Sequence, residues 1–340
     1  MKNNILVTLF VLITVCVFNL YGQNKKYFVA ANWNLENLFD TTDDANKNDE
    51  EFTPESKKEW TQERLDKKLF NLSRVISSMN NGSGPDLLGV EEVEHKTLLD
   101  SLIRKYLHQK NYKVAYDESP DERGIDVGLI YNSDLFKLLK VSADTVKPPD
   151  KYPTRLILCA ELVTNDMDTI YVFVNHWPSR RGGLAESEVN RLTAAMILRT
   201  EVNKLFLKNP NSNIILVGDF NDEPKNKSIA EILIAKDFSC DSNSSINSKD
   251  LYNLAYKEAE AGIGSYMYQS NWNMLDQIII SGNLLSKDYK CGSFEVYKPE
   301  FMVTRSGRFK GAAFPTYGGG NRYLGGYSDH FPVIAKFSLN

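Results

Sequence analysis

Asn213-Ile214-Ile215-Leu216-Val217-Gly218-Asp219-Phe220-Asn221-Asp222 is the stretch on which the reading of this chain turns. Its first five residues are too few for a helix and too β-branched for a loop, so they read as a buried strand. Gly218 lets the backbone turn, and Asp219, Asn221 and Asp222 then stand at the strand's exit. A carboxylate and an amide two residues apart on extended chain point to one face. Such a pair can hold a water, a phosphoryl group or a hard metal ion. Gly-Asp-x-Asn-Asp also makes an ordinary turn. The stretch gains chemical meaning only if other strands end in matching groups.

Several do. Upstream, a long helix over residues 185–207 is preceded by a strand over 169–174, which runs out into Asn175-His176-Trp177-Pro178. Pro178 stops that strand, and Gly182 and Gly183 loosen the loop. Downstream, the apolar run 275–280 carries Asp276 near its start, and the last strand, 331–337, is entered through Gly325-Gly326-Tyr327-Ser328-Asp329-His330. Towards the N-terminus, residues 27–34 form the first strand, with Asn34, Glu36 and Asn37 at its end. Residues 86–92 form another, ending in Glu91 and Glu92. Between them Leu65, Leu69, Leu72, Ile76 and Met79 recur at helical spacing, a core-facing stripe. A second helix is expected over 97–107, and further strands at 112–116, 126–131 and 155–162. His95 and His108 read as surface residues. The acid-rich run from Asp40 to Glu59 lacks the central glycine and terminal glutamate of a helix-loop-helix calcium site, so it reads as a solvated loop. Residues 241–249 read as a polar surface loop.

Residues 1–22 stand apart. Lys2, an apolar run over 5–17 and a small residue at Gly22 have the layout of an export signal, and the run is short for a membrane span. Residues 23–340 are then one catalytic domain, with no Gly/Ser/Pro linker to divide it and no membrane anchor once the signal is cut. The chain carries 40 Lys and Arg against 44 Asp and Glu, a net charge of −4, and loss of Lys2 makes it more negative. Bulk charge therefore does not grip nucleic acid, though a local basic groove is compatible with it. Cys159, Cys240 and Cys291 allow one disulfide at most after residue 22. Cys159, inside a strand, reads as a buried apolar side chain, and no cysteine-based zinc spacing exists.

Asn, Glu, His, Asp and Asp-His thus fall at the ends of apolar strands. Asn175-His176 and Asp329-His330 contain two of only four histidines, and a neighbouring carboxylate can make histidine a usable base near neutral pH. There is no Gly-x-Ser-x-Gly elbow, no phosphate-binding Gly-Lys loop and no His-Glu-x-x-His. Oxygen donors dominate, which suits Mg2+, with Mn2+ or Ca2+ as alternatives, better than zinc. The set fits metal-assisted attack of water on a phosphate ester.

With these residues in order, the chain resembles the endonuclease/exonuclease/phosphatase superfamily, which includes pancreatic-type deoxyribonucleases, inositol-polyphosphate 5-phosphatases and bacterial sphingomyelinases. Six short matches carry the resemblance: Trp33-Asn34, Leu87-Leu88-Gly89-Val90-Glu91-Glu92, Val174-Asn175-His176, Val217-Gly218-Asp219-Phe220-Asn221, Leu275-Asp276-Gln277 and Ser328-Asp329-His330-Phe331-Pro332-Val333. It implies an α/β fold, a four-layer sandwich of two packed, mainly antiparallel or mixed sheets flanked by helices. It also implies Glu92 as principal metal ligand, with Asn34 and Asp329 close by. His330 would be the general base, oriented by Asp276. Asp219 would position the attacking water, Asn221 would bond phosphoryl oxygens, and His176 would stabilise the pentacoordinate phosphate or help the leaving group. Asp126 would orient His176.

The substrate is expected to be a phosphate ester, foremost a nucleic acid. A lipid phosphodiester and an inositol or sugar phosphate are the alternatives, because one chemistry serves many substrates. Arg180, Arg181, Arg191, Arg305, Arg308, Lys310 and Arg322 are candidates for flanking phosphates, and Tyr317, Tyr323 and Tyr327 for base stacking. Ala312-Ala313-Phe314-Pro315 is the one small candidate for a lipid-reaching hairpin.

Overall fold

The computed structural model describes residues 26–149, 152–240, 246–319 and 321–339. The export signal expected over 1–22 lies outside them, as does part of the 241–249 loop. In chain order the strands are β1 (Lys26–Leu38), β2 (Leu87–Val93), β3 (Tyr112–Tyr116), β4 (Asp126–Asn132) and β5 (Phe136–Asp144). Next come β6 (Ile157–Thr164), β7 (Thr169–His176), β8 (Asn213–Asp219), β9 (Ala235–Lys236) and β10 (Leu251–Asn253). Last are β11 (Tyr266–Tyr268), β12 (Asn271–Asn273), β13 (Asp276–Ser281), β14 (Glu295–Val296) and β15 (Val333–Leu339). The helices are α1 (Gln62–Gly82), α2 (Lys96–Tyr106), α3 (Leu184–Lys208), α4 (Tyr256–Glu260) and α5 (Gly282–Lys287).

Two mixed sheets hold most of the strands, one in the order β14-β15-β1-β2-β4-β3 and the other β5-β6-β7-β8-β13-β10-β9. Strand alternation sorts their side chains into layers. In β1, Phe28 and Ala30 enter the core between the sheets, while Val29, Ala31 and Trp33 pack under α1 and α2. In β8, Ile215 and Val217 face the other sheet and Ile214 and Leu216 pack against α3. The result is helix, sheet, sheet, helix, the four-layer sandwich expected. The α1 stripe from Leu65 to Met79 is buried as its spacing predicts, and the Thr61 hydroxyl caps that helix by accepting from the Arg64 N–H.

Two glycines set how closely the layers approach. A Cβ on Gly89 would fall 2.6 Å from Val217 and 2.7 Å from the Asn32 amide oxygen, so glycine here lets the sheets close next to the site. Gly218 does not turn the chain as expected. It lies within β8, where a Cβ would sit 2.2 Å from the Asn175 carbonyl oxygen of β7. Close approach of neighbouring backbone, not a turn, requires it.

Sequence periodicity missed β5 and the short strands. β5 is an edge strand with Lys137 and Lys140 exposed along it, so its apolar signal is diluted. Cys240 and Cys291 form a disulfide and Cys159 is buried and free, as the cysteine reading allowed.

Candidate active site

The same alternation that builds the inter-sheet core also builds the site. His176 continues the row of Val172 and Val174, Asp219 that of Ile215 and Val217, and Asp276 that of Ile278 and Ile280. Register places these three abreast: His176 is paired with Asp219, and Asp219 with Asp276. From the facing sheet, Asn32, Asn34 and Glu91 point the same way, and Asn34 is paired with Glu91. At this edge the apolar core between the sheets gives way to polar groups.

Glu92 should by alternation follow Leu88 and Val90 towards the helices. A bulge prevents it. Glu92 adopts φ 60°, and Glu36 and Asn37 opposite adopt φ 53°, each in the left-handed region where a residue with a Cβ is strained. Asn221, just beyond β8, has φ 50°. Four such residues converge on one spot, each costing on the order of 1–3 kcal/mol, and strain of this kind persists where geometry matters to function. The turned Glu92 accepts from the Asn37 N–H at 2.9 Å and from the Asn34 amide at 3.4 Å.

One oxygen, Asp219 Oδ2, is the focus. Asn34 Nδ2 donates to it at 3.2 Å, His176 Nε2 stands 3.8 Å away and His330 Nε2 3.9 Å away. Behind His330, Asp276 Oδ2 lies 2.7 Å from Nδ1 and also accepts from the Ser265 hydroxyl at 2.6 Å. That bond fixes Nδ1 as the protonated nitrogen facing Asp276 and leaves Nε2 aimed into the site. Tyr266 stacks on the imidazole, ring centres 4.5 Å apart. The Ser328 hydroxyl accepts from the His330 N–H and donates to the Asn34 carbonyl, tying the two segments together.

The electrostatics divide the histidines. Burial alone would push His330 down, but Asp276 and Asp329 outweigh it and hold its pKa well above the ordinary range. Burial, with Arg155 and Arg123 nearby, pushes His176 well below that range, so it is a neutral imidazole. Burial and Asp276 push Asp219 up to about 6, against the pull of His330. Glu91, buried beside Asp276 and Asp219, is pushed well above the carboxylate range, which suits a neutral acid and not a metal ligand.

Glu92 and Asp329 remain as the oxygen donors facing the opening, with Glu36 beside them. Burial and then the Glu36 and Glu92 carboxylates push Asp329 up to about 7, against His330 and Lys68. A divalent cation would relieve this mutual repulsion, and an all-carboxylate donor set is the chemistry a hard cation such as Mg2+ takes. The residues present therefore fit the group. Asn34 turns its amide nitrogen to Glu92 and Asp219, while its oxygen accepts from the Glu36 N–H at 2.9 Å. It braces those carboxylates.

Several expected roles are corrected. Asp126 does not reach His176: its carboxylate accepts from the Tyr116 hydroxyl and the Ser119 N–H, at 2.6 and 2.7 Å. His176 Nδ1 is buried without a hydrogen-bond partner. Asn221 keeps its expected capacity to donate: its amide bonds the Trp177 carbonyl at 3.0 Å, with one N–H to spare. Arg191 is wholly buried and pairs with Asp222, so it cannot meet a phosphate. Arg180 spends its guanidinium on Asn221, Asn226 and Asn273. Tyr327 is buried, with its hydroxyl accepting from Arg74. Ala312 and Ala313 are buried too, which removes the candidate lipid hairpin.

Periodicity gave no signal for Ser265, Tyr266 or Lys68. Lys68 is a buried ammonium that donates to Thr316 and the Tyr327 carbonyl and faces Glu36 at 3.7 Å. It looks apolar on a helical wheel because it lies on the buried stripe of α1.

Beside Asp329 and Tyr266 opens a cavity of about 890 Å³. Phe301, Phe309 and Tyr317 line it together with Arg305, Arg308 and Arg322.

Comparison with known proteins agrees with this geometry. A profile of the Endonuclease/Exonuclease/phosphatase family matches residues 29–338. No curated protein matches the sequence significantly. Among solved structures, the chain is similar to D. rerio TDP2 complexed with a single-strand DNA product, with TM-score 0.55 and 12% identity over 92% of this chain and 99% of that one. It is similar to the human Nocturnin catalytic domain with bound sulfate, with TM-score 0.52 and 17% identity over 93% and 98%. A third is the Bacteroides thetaiotaomicron mannosyl-6-phosphatase Bt3783, with TM-score 0.51 and 16% identity over 92% and 100%. At these identities the likeness is one of fold.

Proposed function

The chain belongs to the endonuclease/exonuclease/phosphatase family, and from that premise we propose that it is an exported, Mg2+-dependent phosphodiesterase of the nuclease type. Hydrolysis of a phosphate ester is the family's chemistry. The observation that carries it here is the convergence of Asn34, His176 and His330 on Asp219 Oδ2. A water seated between Asp219 and His330 would touch both. His330, held protonated by its carboxylate neighbours, then faces the phosphoryl oxygens as a cationic donor, so Asp219 is the group placed to take the water's proton. This differs from the base role the family resemblance implied for His330. Neutral His176 donates a second hydrogen bond to the phosphoryl group, and the spare Asn221 N–H a third. Glu92 and Asp329, with Glu36 alongside, would hold Mg2+, which when bound would supply Lewis-acid stabilisation of the developing charge.

The cavity supports the substrate class. Exposed arginine forks suit phosphates, and aromatic walls suit stacked bases. About 890 Å³ exceeds what a monosaccharide phosphate fills. The TDP2 neighbour holds single-strand DNA. The Cys240–Cys291 disulfide supports passage to an oxidising compartment, in keeping with residues 1–22 as a signal and 23–340 as one catalytic domain.

A panel of single- and double-stranded DNA, RNA, sphingomyelin, inositol phosphates and sugar phosphates, each with Mg2+, Mn2+ or Ca2+, tests the reading. Turnover is expected on nucleic acid with Mg2+, falling at least a hundredfold in Glu92→Gln. Metal-independent turnover, or exclusive turnover of a sugar phosphate, would overturn it.

A pH profile tests the assignment of the base. Asp219 must be ionised to accept a proton, so kcat/KM should fall as pH drops through about 6. On the alkaline side it should fall only above the ordinary histidine range, as His330 loses its proton. A profile rising through pH 6.5 in Asp219→Asn as in the wild type would return the base role to His330.

A further inference from the structure

The acid-rich run between β1 and α1 is largely the solvated loop its sequence suggests, but Asp49 within it is buried. It folds back onto the end of β2. One oxygen each from Asp44, Asp49 and Glu94 lie within 4.8 Å of one another, and ligand atoms of Asp40, Glu94 and His95 form an overlapping group. Asp49 and Glu94 are each only 1% exposed. Buried carboxylates are found paired with a cation, protonated, or on a metal.

The protein supplies little to neutralise them. Lys47, the lysine nearest in sequence, sends its ammonium to the Asp121 carbonyl at 2.8 Å. The one basic side chain in contact is His95, 3.0 Å from Asp44 Oδ2. Backbone N–H groups take one oxygen of each acid: Asp44 N–H donates to Asp49 Oδ2, and Asp40 N–H to Glu94 Oε2. Asp49 Oδ1 is buried and receives no N–H or hydroxyl donor, with the Glu94 carboxyl in hydrogen-bonding reach of Asp49. A buried oxygen without an N–H or hydroxyl donor, within a carboxylate cluster that no lysine or arginine among the described residues joins, is what a cation site looks like from the protein side.

We propose that Asp44, Asp49 and Glu94, with Asp40 in reach, form a second divalent cation site, one that takes Ca2+ and is separate from the catalytic one. The three nearest ligand groups are all carboxylates, and Ca2+ accepts six to eight oxygens in adaptable geometry, where Mg2+ demands a tight octahedron. The site joins the segment leaving β1, which carries Asn34 and Glu36, to Glu94, two residues beyond Glu92. Its cation fastens together the two chain ends that present the catalytic carboxylates, a structural role that does not touch substrate.

The alternative is a proton shared between Glu94 and Asp49, and Ca2+ binding separates the two. In the Glu92→Gln protein, which has lost the catalytic ligand, calorimetry with CaCl2 should still find one Ca2+ per chain, and the thermal midpoint should rise on adding Ca2+. Adding Asp49→Asn, or the less buried Asp44→Asn should the first variant fail to fold, should weaken that binding roughly tenfold or more and abolish the thermal shift. Absence of Ca2+ binding in Glu92→Gln would mean the acids share a proton and would overturn the proposal. So would undiminished binding in a folded Asp44→Asn or Asp49→Asn variant. Catalytic Mg2+ dependence is read separately, by activity, and its failure would leave this stoichiometry unaffected.

Discussion

Asp219→Asn is expected to lower kcat on the order of a thousandfold while leaving KM within a few-fold. Removing a general base typically costs 10²–10⁴, and here the same oxygen also receives Asn34 and neighbours both histidines. The fold should survive, because asparagine keeps the oxygen that accepts from the Asn221 N–H at 2.9 Å. Stability offers a second readout with a defined sign. The folded protein raises the Asp219 pKa from 3.8 to about 6. Stability is therefore fully present below about pH 4 and lost as pH rises to about 6, by roughly 2–3 kcal/mol for a shift of this size. The asparagine variant has no such loss. Melted in EDTA, it should match the wild type at pH 4 and equal or exceed it at pH 7. A variant that retains more than a tenth of wild-type kcat would remove Asp219 from the chemistry.

Arg191→Met should be the most destabilising single change near the site, although it touches no substrate. Arg191 is completely buried in α3, with Nε 2.8 Å from Asp222 Oδ1. Its other nitrogens donate to the Ser187 hydroxyl and the Leu184 carbonyl, and Asp222 Oδ2 accepts from Ser228 at 2.6 Å. Breaking a buried pair strands one charge, at a cost of about 3–5 kcal/mol. The lower end applies, because the Nε–H is not aimed along the contact and the pair is short of a well-formed hydrogen bond. About 3 kcal/mol corresponds to a fall of very roughly 4–6 °C in melting temperature for a domain of this length. Asp222 directly follows Asn221, so kcat should fall with stability as that loop loosens. The double variant Arg191→Met/Asp222→Asn should recover much of the loss, since no charge is then stranded. A drop under 2 °C in the single variant would show that the pair contributes nothing.

The strands were readable where both faces are buried. β2, β7, β8 and β13 are short apolar runs bounded by polar groups, and period-two alternation predicts which of their terminal residues share the inner face. Alternation thus names the face of each strand end, while the grouping of Asp219, His176 and Asp276 in one site was implied by the family resemblance. β5 was not legible, because an exposed edge strand has no apolar period to read. Asn221 was expected to share Asp219's face, but it lies past the strand's end in left-handed geometry, and alternation stops with the ladder. The arginines divided by burial, which charge alone does not reveal: Arg191 and Arg305 look alike in sequence, yet one closes a buried ion pair and the other lines an open cavity.

The layered α/β class was implied by the family resemblance that the motifs carry, while the sequence by itself determined the strand ends that bear the chemistry and the oxygen-rich character of the site. Those features follow from local periodicity and residue type, which need no partner. Only the tertiary structure decided which side chain works on which. Register put His176, Asp219 and Asp276 abreast, and a left-handed bulge turned Glu92 from the helix face to the site. The packing of three carboxylates around one imidazole raises the pKa of His330, and the proposed base role of Asp219 rests on that. The acid-rich run is solvated along most of its length, and only the fold brought Asp44 and Asp49 within it to Glu94, just past the end of β2. Electrostatic fields and hydrogen-bond pairing depend on distances between residues far apart in the chain, and those distances exist only once the two sheets have closed.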